Sequence, residues 1–175
     1  IGSSTALNTL DISTTSGNIT LSGDITVTSI GSDAIVINAG SDTEVGTATG
    51  GNILVSDSPT YTTGIGGIVK LYSGSVSNST GLTNFIGSGS HRFRYYSDET
   101  NTNYSAALDS GKYGIYREQP TLIITADDET VTYGTAPTES VTITGTVNGD
   151  NSSTVLTTSA SISIAGDTST SNNYI

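Results

Sequence analysis

The sequence predicts an all-β protein, in which a stack of parallel coils ends in a cap and is followed by a smaller β domain. Val, Ile and Thr are frequent, and these side chains favour pleated strands. Gly, Asn, Asp and Ser recur between the apolar segments, where they favour turns. Charged residues make up only 12% of the chain, which is not the composition of a disordered protein.

A repeat of 34 residues organises the first half of the chain. The segment GNITLS at 17–22 recurs as GNILVS at 51–56. At the same offset, IVINAG at 35–40 aligns with VKLYSG at 69–74. A constant period of this size predicts a solenoid, in which each coil buries its apolar face against its neighbours. We therefore predict that residues 1–90 are coils of a parallel β-helix.

Alternation with a period of two residues marks the strands within each repeat. Ile19 and Leu21 flank Thr20 and are expected to point inward, and Ile25 and Val27 follow the same rule. The chain contains no convincing helical pattern. The other positions expected to face inward are Ile35, Ile37, Ile53, Val55, Val69 and Leu71.

The character of the chain changes in residues 91–119, which we predict to be a cap and junction. This segment holds five of the nine Tyr, all three Arg and one of the two Lys. A repeat array needs a covered end, because an open coil exposes apolar side chains and unpaired strand edges. The expected structural cap residues are His91, Phe93, Tyr104, Tyr113 and Tyr116.

A different pattern of short strands follows in residues 120–175. Leu122 and Ile124 alternate, residues 127–129 resemble a turn, and Val131 and Tyr133 are expected to return as a strand. Gly134 and Pro137 then interrupt the chain, a further strand is expected at Val141 and Ile143, and Asn148-Gly149-Asp150 is a strong turn signal.

The composition excludes several classes of function. A net charge of −11 disfavours binding to nucleic acids and to anionic membrane surfaces. The absence of Cys excludes disulfides and thiolate metal sites, and no apolar run is long enough for a transmembrane helix. The first residue, Ile1, suggests a fragment of a longer protein.

These motifs resemble a known family of secreted proteins. The segments GNITLSGDITVTS, INAG and GGIVKLYSG resemble the β-helical stalk of filamentous-haemagglutinin-like exoproteins of Gram-negative bacteria. FRYYSDETNTNYSAALDSGKYGIYREQP is similar to the segment that closes such a stalk. LIITADDETVTYGTAPT with GTVNGD resembles the start of an MBG (mostly β-grasp) module. The resemblance implies a β-grasp-like domain, here truncated, and export by two-partner secretion.

Two interpretations of the segment 91–96 remain open. In the first, the aromatic side chains cover the last coil, and the arginines pair with Asp98, Glu99 or Asp109. In the second, the segment is a carbohydrate-binding patch that stacks on sugar rings and grips anionic groups. The residues of that alternative site are Arg92, Arg94, Tyr95 and Tyr96.

Other candidate sites carry weaker signals. Asp127, Asp128 and Asp150 are weak Ca²⁺ candidates, but their spacing does not fit an EF-hand loop. Asp24, Asp33 and Asp57 lie at different phases of the repeat, and Asp57 aligns with Gly23, so nothing indicates the carboxylate pair of a polysaccharide-degrading β-helix. Thr26-Val27-Thr28 aligns with Thr60-Tyr61-Thr62 at the repeat offset, a pattern that could form an ice-binding face.

Together these observations predict a structural stalk fragment of a large bacterial surface adhesin, with no catalysis, cofactor or metal. We expect it outside the cell, where the parent protein would contact glycans or proteins of host cells or biofilm. The family implies an outer-membrane secretion partner. The carbohydrate-binding module is the alternative function, and the polysaccharide-degrading enzyme is the third.

Overall fold

The computed structural model describes residues 1, 4–132, 135, 137–156 and 158–162 of the 175-residue chain. These residues are mostly strands and loops, as the sequence predicted for an all-β protein. They divide into two compact units. Unit 1 contains Ile1–Pro120 and Val147–Asp150, and unit 2 contains Thr121–Thr146 and Asn151–Ile175.

Unit 1 is built from short strands with one helical turn near its end. The described residues of this unit form β1 (Leu10–Thr14), β2 (Ile19–Leu21), β3 (Ile25–Thr26), β4 (Ile35–Ala39), β5 (Ile53–Val55), β6 (Tyr61–Thr62), β7 (Ile68–Ser73), α1 (Leu82–Ile86), β8 (Phe93–Arg94) and β9 (Gly111–Tyr116).

The pairings among the named strands of unit 1 are parallel. One sheet has the order β1-β4-β7-β9-β8, and two smaller sheets pair β2 with β5 and β3 with β6. Ile19 pairs with Ile53 and Ile35 pairs with Val69, so the repeat offset of 34 residues is also the pairing offset of these strands. The strands β2 and β4 therefore lie against their counterparts one repeat later, β5 and β7, through parallel hydrogen bonds.

The predicted alignment of the two Thr-x-Thr motifs is wrong by two residues. Thr26 pairs with Thr62, not with Thr60, because β3 and β6 are offset by 36 residues. Five residues, 56–60, connect β5 to β6, whereas three residues, 22–24, connect β2 to β3. The longer corner shifts the register locally, and β4 and β7 return to the offset of 34. The Thr-x-Thr motifs therefore do not coincide.

The inward positions predicted from the alternation form the core of unit 1. Ile35, Leu71 and Ile53 are fully buried, whereas Val55 is only half-buried. Polar Thr20, between Ile19 and Leu21, is exposed. The main buried cluster consists of Leu21, Ile25, Val27, Ala34, Ile35, Ile37, Ala39, Ile53, Val69, Leu71, Leu82, Ile86, Phe93 and Tyr116.

The expectation that the chain contains no helix is wrong. In α1, Leu82 and Ile86 are four residues apart and both point into the core. Gly81 precedes the helix with a φ of 79°. One turn is too short to produce the periodic pattern by which helices are found in sequences. The second short helix, α2 (Ser152–Val155), belongs to unit 2.

Unit 2 contains an antiparallel hairpin, β10 (Ile123–Ala126) and β11 (Val141–Thr144), in which Ile124 pairs with Ile143. Of the return strand expected at Val131 and Tyr133, Val131 lies outside any strand, and Tyr133 lies outside the described residues. The alternation expected for β10 is also wrong, since all four of its residues are exposed.

The segment 120–175, predicted as one domain, contributes Val147–Asp150 to unit 1. The truncation of the module, which the resemblance places at 172–175, falls outside the described residues. Within the part of the chain that is described, no helix has the length and apolar character needed to cross a membrane.

Candidate functional site

The segment 91–96 lies at the end of the five-stranded sheet, where it contributes β8. Phe93 pairs with Gly114 and Arg94 pairs with Ile115. The Phe93 side chain is buried in the main core cluster. The backbone of this segment therefore adds a last, short strand beside β9.

The aromatic side chains of this region stack on one another at the end of the core. Phe93 and Tyr116 have ring centroids 6.4 Å apart, and Tyr95 stacks on Tyr116 at 5.8 Å with an interplanar angle of 12°. Tyr116 is fully buried, and Tyr95 is half-buried. Burial raises the pKa of both phenols well above the ordinary value. These rings pack as core residues, which removes Tyr116 from any contact with a sugar.

Arg92 makes one of the ion pairs expected from the sequence. Its Nη1 lies 3.2 Å from a carboxylate oxygen of Asp109 and donates to the carbonyl of Ser110 at 2.8 Å. The guanidinium also lies 5.1 Å from the centroid of Tyr113, whose hydroxyl donates to Asp109. The hydrogen bond from Tyr113 lowers the pKa of Asp109, and the charge of Arg92 lowers it further.

Arg94 does not contact the acidic residues that were expected to pair with it. Its Nη1 donates to the carbonyls of His91 and Phe93, each at 2.9 Å. Its guanidinium carbon lies 5.4 Å from the ring centroid of Tyr104 and 5.2 Å from that of Tyr113. Carbonyls and π faces thus replace the carboxylate as partners of this cation.

Two members of the segment point outward. His91 is exposed, and its Nδ1 lies 3.8 Å from Oδ1 of Asp150. Tyr96 is 39% exposed. Of the expected cap residues, Phe93, Tyr113 and Tyr116 are buried, Tyr104 is half-buried and His91 is exposed.

Asp98 holds a turn together and has no arginine partner. Its Oδ1 accepts hydrogen bonds from the amides of Thr100 and Asn101 at 2.8 and 2.5 Å, and its Oδ2 accepts from the amide of Val45 at 3.1 Å. Burial alone would raise the pKa of this carboxyl. The hydrogen bonds from Asn101 and Thr100 outweigh burial and hold the pKa below the ordinary value.

Residues 147–150 are held against the end of unit 1 by Asn148. Its carbonyl accepts from the amide of Gly89 at 2.9 Å, and its Oδ1 accepts from the hydroxyl of Thr83 at 2.6 Å. Its Nδ2 donates to the hydroxyl of Tyr95, which in turn donates to Asp150 at 3.3 Å. The turn signal in the sequence therefore marks a docked segment of unit 1.

The weak Ca²⁺ candidates are divided between the two units. Asp150 belongs to unit 1, whereas Asp127 and Asp128 belong to unit 2. The carboxylate of Asp127 accepts from the hydroxyls of Thr142 at 2.6 Å and Ser140 at 2.8 Å, and these hydrogen bonds lower its pKa. The described residues contain no group of three or more His, Cys, Asp or Glu side chains placed to hold a metal ion.

The acidic candidates for catalysis each have a local partner. Asp24 accepts from the amide of Thr60 at 2.7 Å. Asp33 lies 2.6 Å from the ammonium of Lys70, and the hydrogen bond from Lys70 lowers its pKa. A third carboxylate, that of Asp57, accepts from Oγ of Ser56 at 3.1 Å. These contacts tie neighbouring loops and strands to one another.

The sequence analysis missed Arg117, the largest fully buried side chain. Its Nη2 donates to the carbonyls of Ala39 at 2.8 Å, Gly51 at 2.9 Å and Thr49 at 3.2 Å. Its own amide donates to the carbonyl of Ser73 at 3.0 Å. Burial lowers the pKa of this guanidinium. One sequence signal could have identified this residue. Arg117 directly follows the apolar end of a strand, and glycines elsewhere in the repeat leave room for its side chain.

We expect Arg117→Met to lower the free energy of unfolding of unit 1 by about 2–5 kcal/mol, since buried carbonyls would lose their donor. Arg117→Lys should recover part of this loss, because it keeps a charged donor. Urea unfolding followed by circular dichroism measures the difference. Arg92→Met, which removes a more exposed cation, is the control and should cost about 0–1 kcal/mol. Equal losses in Arg117→Met and the control would contradict the role given to Arg117.

We also expect Asp98 to make unit 1 sensitive to acid. Its pKa is lower in the folded state, so its contribution is present above the unfolded pKa of about 3.9 and is lost as pH falls through the folded pKa. The stability gap between the wild type and Asp98→Asn should therefore narrow as pH falls from 6 towards about 2. Asp11→Asn, at an exposed carboxylate in β1, is the control for the loss of one negative charge. A gap independent of pH would refute this prediction.

Comparison with known proteins leaves the family of this chain open. No protein-family model, no curated protein and no solved structure matches it.

Proposed function

We propose that this chain is a non-enzymatic structural segment of a large bacterial surface adhesin. In this proposal unit 1 is the end of a parallel β-helical stalk, residues 91–119 are its cap, and residues 120–175 begin a β-grasp-like module. The observation that carries the proposal is the parallel register at the repeat offset: Ile19 with Ile53, and Ile35 with Val69. A chain that pairs with itself one repeat later can be lengthened by adding repeats.

The contacts of residues 91–119 support their role as a cap. Phe93, Tyr95 and Tyr116 pack over the end of the core, and β8 adds a strand of only two residues to the sheet. A very short edge strand limits pairing with other chains. The buried guanidinium of Arg117 adds donors for carbonyls of the preceding coils. These features suit the closed end of a stack of coils.

The surface chemistry of unit 1 supports a mechanical role. The carboxylates considered for catalysis are engaged with local partners, as Asp33 is with Lys70. A net charge of −11 keeps long molecules apart in solution. The parent protein would be extracellular and would reach glycans or proteins of host cells or biofilm through other modules. The resemblance to two-partner-secretion exoproteins adds an outer-membrane secretion partner.

The alternative function, a carbohydrate-binding module at the 91–96 patch, ranks second on the observed contacts. Arg92 is paired with Asp109, and Arg94 is engaged with carbonyls and two tyrosine rings. Tyr96 remains exposed for contact with a ligand. The third function, degradation of polysaccharide, lacks a pair of free carboxylates among the sequence candidates.

The stalk proposal predicts that whole repeats can be inserted. Three extra copies of residues 17–50, placed after Gly50, should lengthen the particle by about 14 Å, because parallel strands stack about 4.8 Å apart. Each junction joins Gly50 to Gly17, which occupies the position of Gly51 in the repeat. Small-angle X-ray scattering measures the maximum dimension. A scrambled insert of the same composition is the control. An insert that unfolds the protein, or a length increase equal to that of the control, would overturn the stalk architecture.

The cap interpretation predicts the behaviour of the double variant Arg92→Ala/Arg94→Ala. Its melting temperature should fall by several degrees, because a loss of about 1–2 kcal/mol lowers the melting point of a domain this size by roughly 4–8 °C. Binding in a glycan screen should be the same for the variant and the wild type. Lys70→Ala, which breaks the ion pair with Asp33 on another part of unit 1, is the control for lost charge. Glycan binding that disappears at an unchanged melting temperature would favour the carbohydrate-binding module.

A further inference from the structure

A cleft of about 400 Å³ lies in unit 1, and none of the three rings of the proposed cap's aromatic stack lines it. Three elements form it: the corner between β5 and β6, the helix α1, and the start of β9. Its walls combine apolar, polar and charged side chains. They are Val55, Ser56, Asp57, Ser58, Pro59, Gly81, Asn84, Phe85 and Lys112.

The cleft lies where the repeat is broken. The corner between β5 and β6 has two residues more than the equivalent corner between β2 and β3. In this longer corner Asp57 and Ser58 both adopt left-handed backbone conformations, with φ values of 57° and 51°. Such conformations cost roughly 1–2 kcal/mol per residue outside glycine. The architecture of the coils does not need this corner, since the preceding coil closes with three residues. Strained loops of this kind cluster at ligand sites.

Lys112 differs from the other cations of the chain. Lys70 and Arg92 pair with carboxylates, and Arg94 and Arg117 donate to carbonyls. Within the described residues, the one contact recorded for the Lys112 ammonium is the ring of Phe85, with Nζ 3.9 Å from the centroid. Its three N–H donors therefore have no oxygen partner in that part of the chain. The Lys112 ammonium therefore lines the cleft with N–H donors that lack an oxygen partner, and such donors suit an oxygen-rich anion.

The other walls of the cleft suit the hydroxyl groups and the apolar face of a sugar. Asp57 offers carboxylate acceptors and Asn84 offers an amide donor and acceptor, and both are exposed. The half-buried ring of Phe85 offers apolar surface beside them, and Pro59, although buried, also lines the cleft. A few placed polar groups around an apolar wall are typical of small-ligand sites.

We propose that this cleft binds a saccharide that carries one carboxylate. The ligand's carboxylate lies against Lys112, and its hydroxyls bind Asp57 and Asn84. The high negative charge of the chain disfavours long polyanions, but at physiological salt charges beyond about 8 Å are screened. A single uronate residue therefore fits this site better than a polyuronate. The proposal does not depend on the stalk architecture.

The test is a titration of the whole chain, labelled with ¹⁵N, with methyl β-D-glucuronide and with methyl β-D-glucoside. The glucuronide should bind saturably, with shifts concentrated at residues 55–59, 81–85 and 112. The neutral glucoside should bind at least tenfold more weakly, since a hydrogen bond to a charged group contributes about 1.5–3 kcal/mol. No saturable binding of the glucuronide, or equal binding of the two sugars, would overturn the proposal. Displacement by acetate at equal concentration would also overturn it, since the cleft would then be a simple anion site.

Two variants locate the binding. Lys112→Met keeps the apolar stem against Phe85 and should weaken glucuronide binding at least tenfold, whereas Lys70→Met, the control on β7, should leave it unchanged. Replacement of residues 56–60 by Ser-Gly-Asp, the corner of the preceding coil, should abolish binding while keeping the melting temperature. Binding that survives both changes would place the sugar elsewhere and refute the site. Because Arg92 and Arg94 are not in the cleft, the Arg92→Ala/Arg94→Ala variant should bind the glucuronide as the wild type does.

Discussion

The structure of unit 1 depends on the buried guanidinium of Arg117. It follows the last long strand of the five-stranded sheet and donates to carbonyls from two preceding segments of the chain, at Ala39 and at Thr49 and Gly51. The amide of Arg117 binds the carbonyl of Ser73 at the end of β7. Burying an unpaired charge is costly, and only Nη2 of this guanidinium has carbonyl acceptors, since Nε and Nη1 are buried without a hydrogen-bond partner among the described residues. Residues 39–51 and the ends of β7 and β9 are held together by the hydrogen bonds that Nη2 and the amide donate.

The loop that Arg117 binds is held from a second side by Asp98. The carboxylate of Asp98 accepts from the amide of Val45, and the carbonyl of Arg117 accepts from the amide of Gly46. An anion and a cation thus fix neighbouring parts of one loop through backbone groups, without pairing with each other. This arrangement explains why the most charged part of the sequence is so fully engaged in internal contacts. The aromatic stack on Tyr116 completes the same end of the unit.

Because most of these charged and aromatic groups contact other residues of unit 1, they stabilise the fold and are not free to bind a ligand. Residues 91–96, the aromatic and cationic segment, make ion-pair, hydrogen-bond and ring contacts mainly with other residues of unit 1. The cleft beside Lys112 has the opposite character: a longer corner, a strained backbone and an ammonium whose recorded partner is an aromatic ring. Function on repeat scaffolds is often carried by such insertions, because the coils supply rigidity whatever the loop between them does. The position of Asp57 and Ser58 follows this rule.

Much of the strand pattern of unit 1 could be predicted, because it rests on local rules. The alternation at Ile19 and Leu21, and the recurrence of GN before Ile53, were sufficient to identify strands and their 34-residue offset. The pairing of Thr26 with Thr62 could not be predicted, since a two-residue difference between corners has no period. Helix α1 is one turn long and leaves no periodic signal. In unit 2, the partner of β10 is β11, and the alternation of apolar residues could not identify that partner from the sequence.

The sequence by itself determined the all-β class, the inward positions of the strands and the place where the pattern changes. These follow from periodicity and propensity, which act on neighbouring residues. Only the tertiary structure decided the partners of the charged groups: Arg92 with Asp109, Arg94 with carbonyls and rings, Arg117 with carbonyls 66 to 78 residues away, and Lys112 with Phe85. Electrostatic and hydrogen-bond partners depend on distances of a few ångströms, and those distances are set by the way the strands and loops pack in three dimensions.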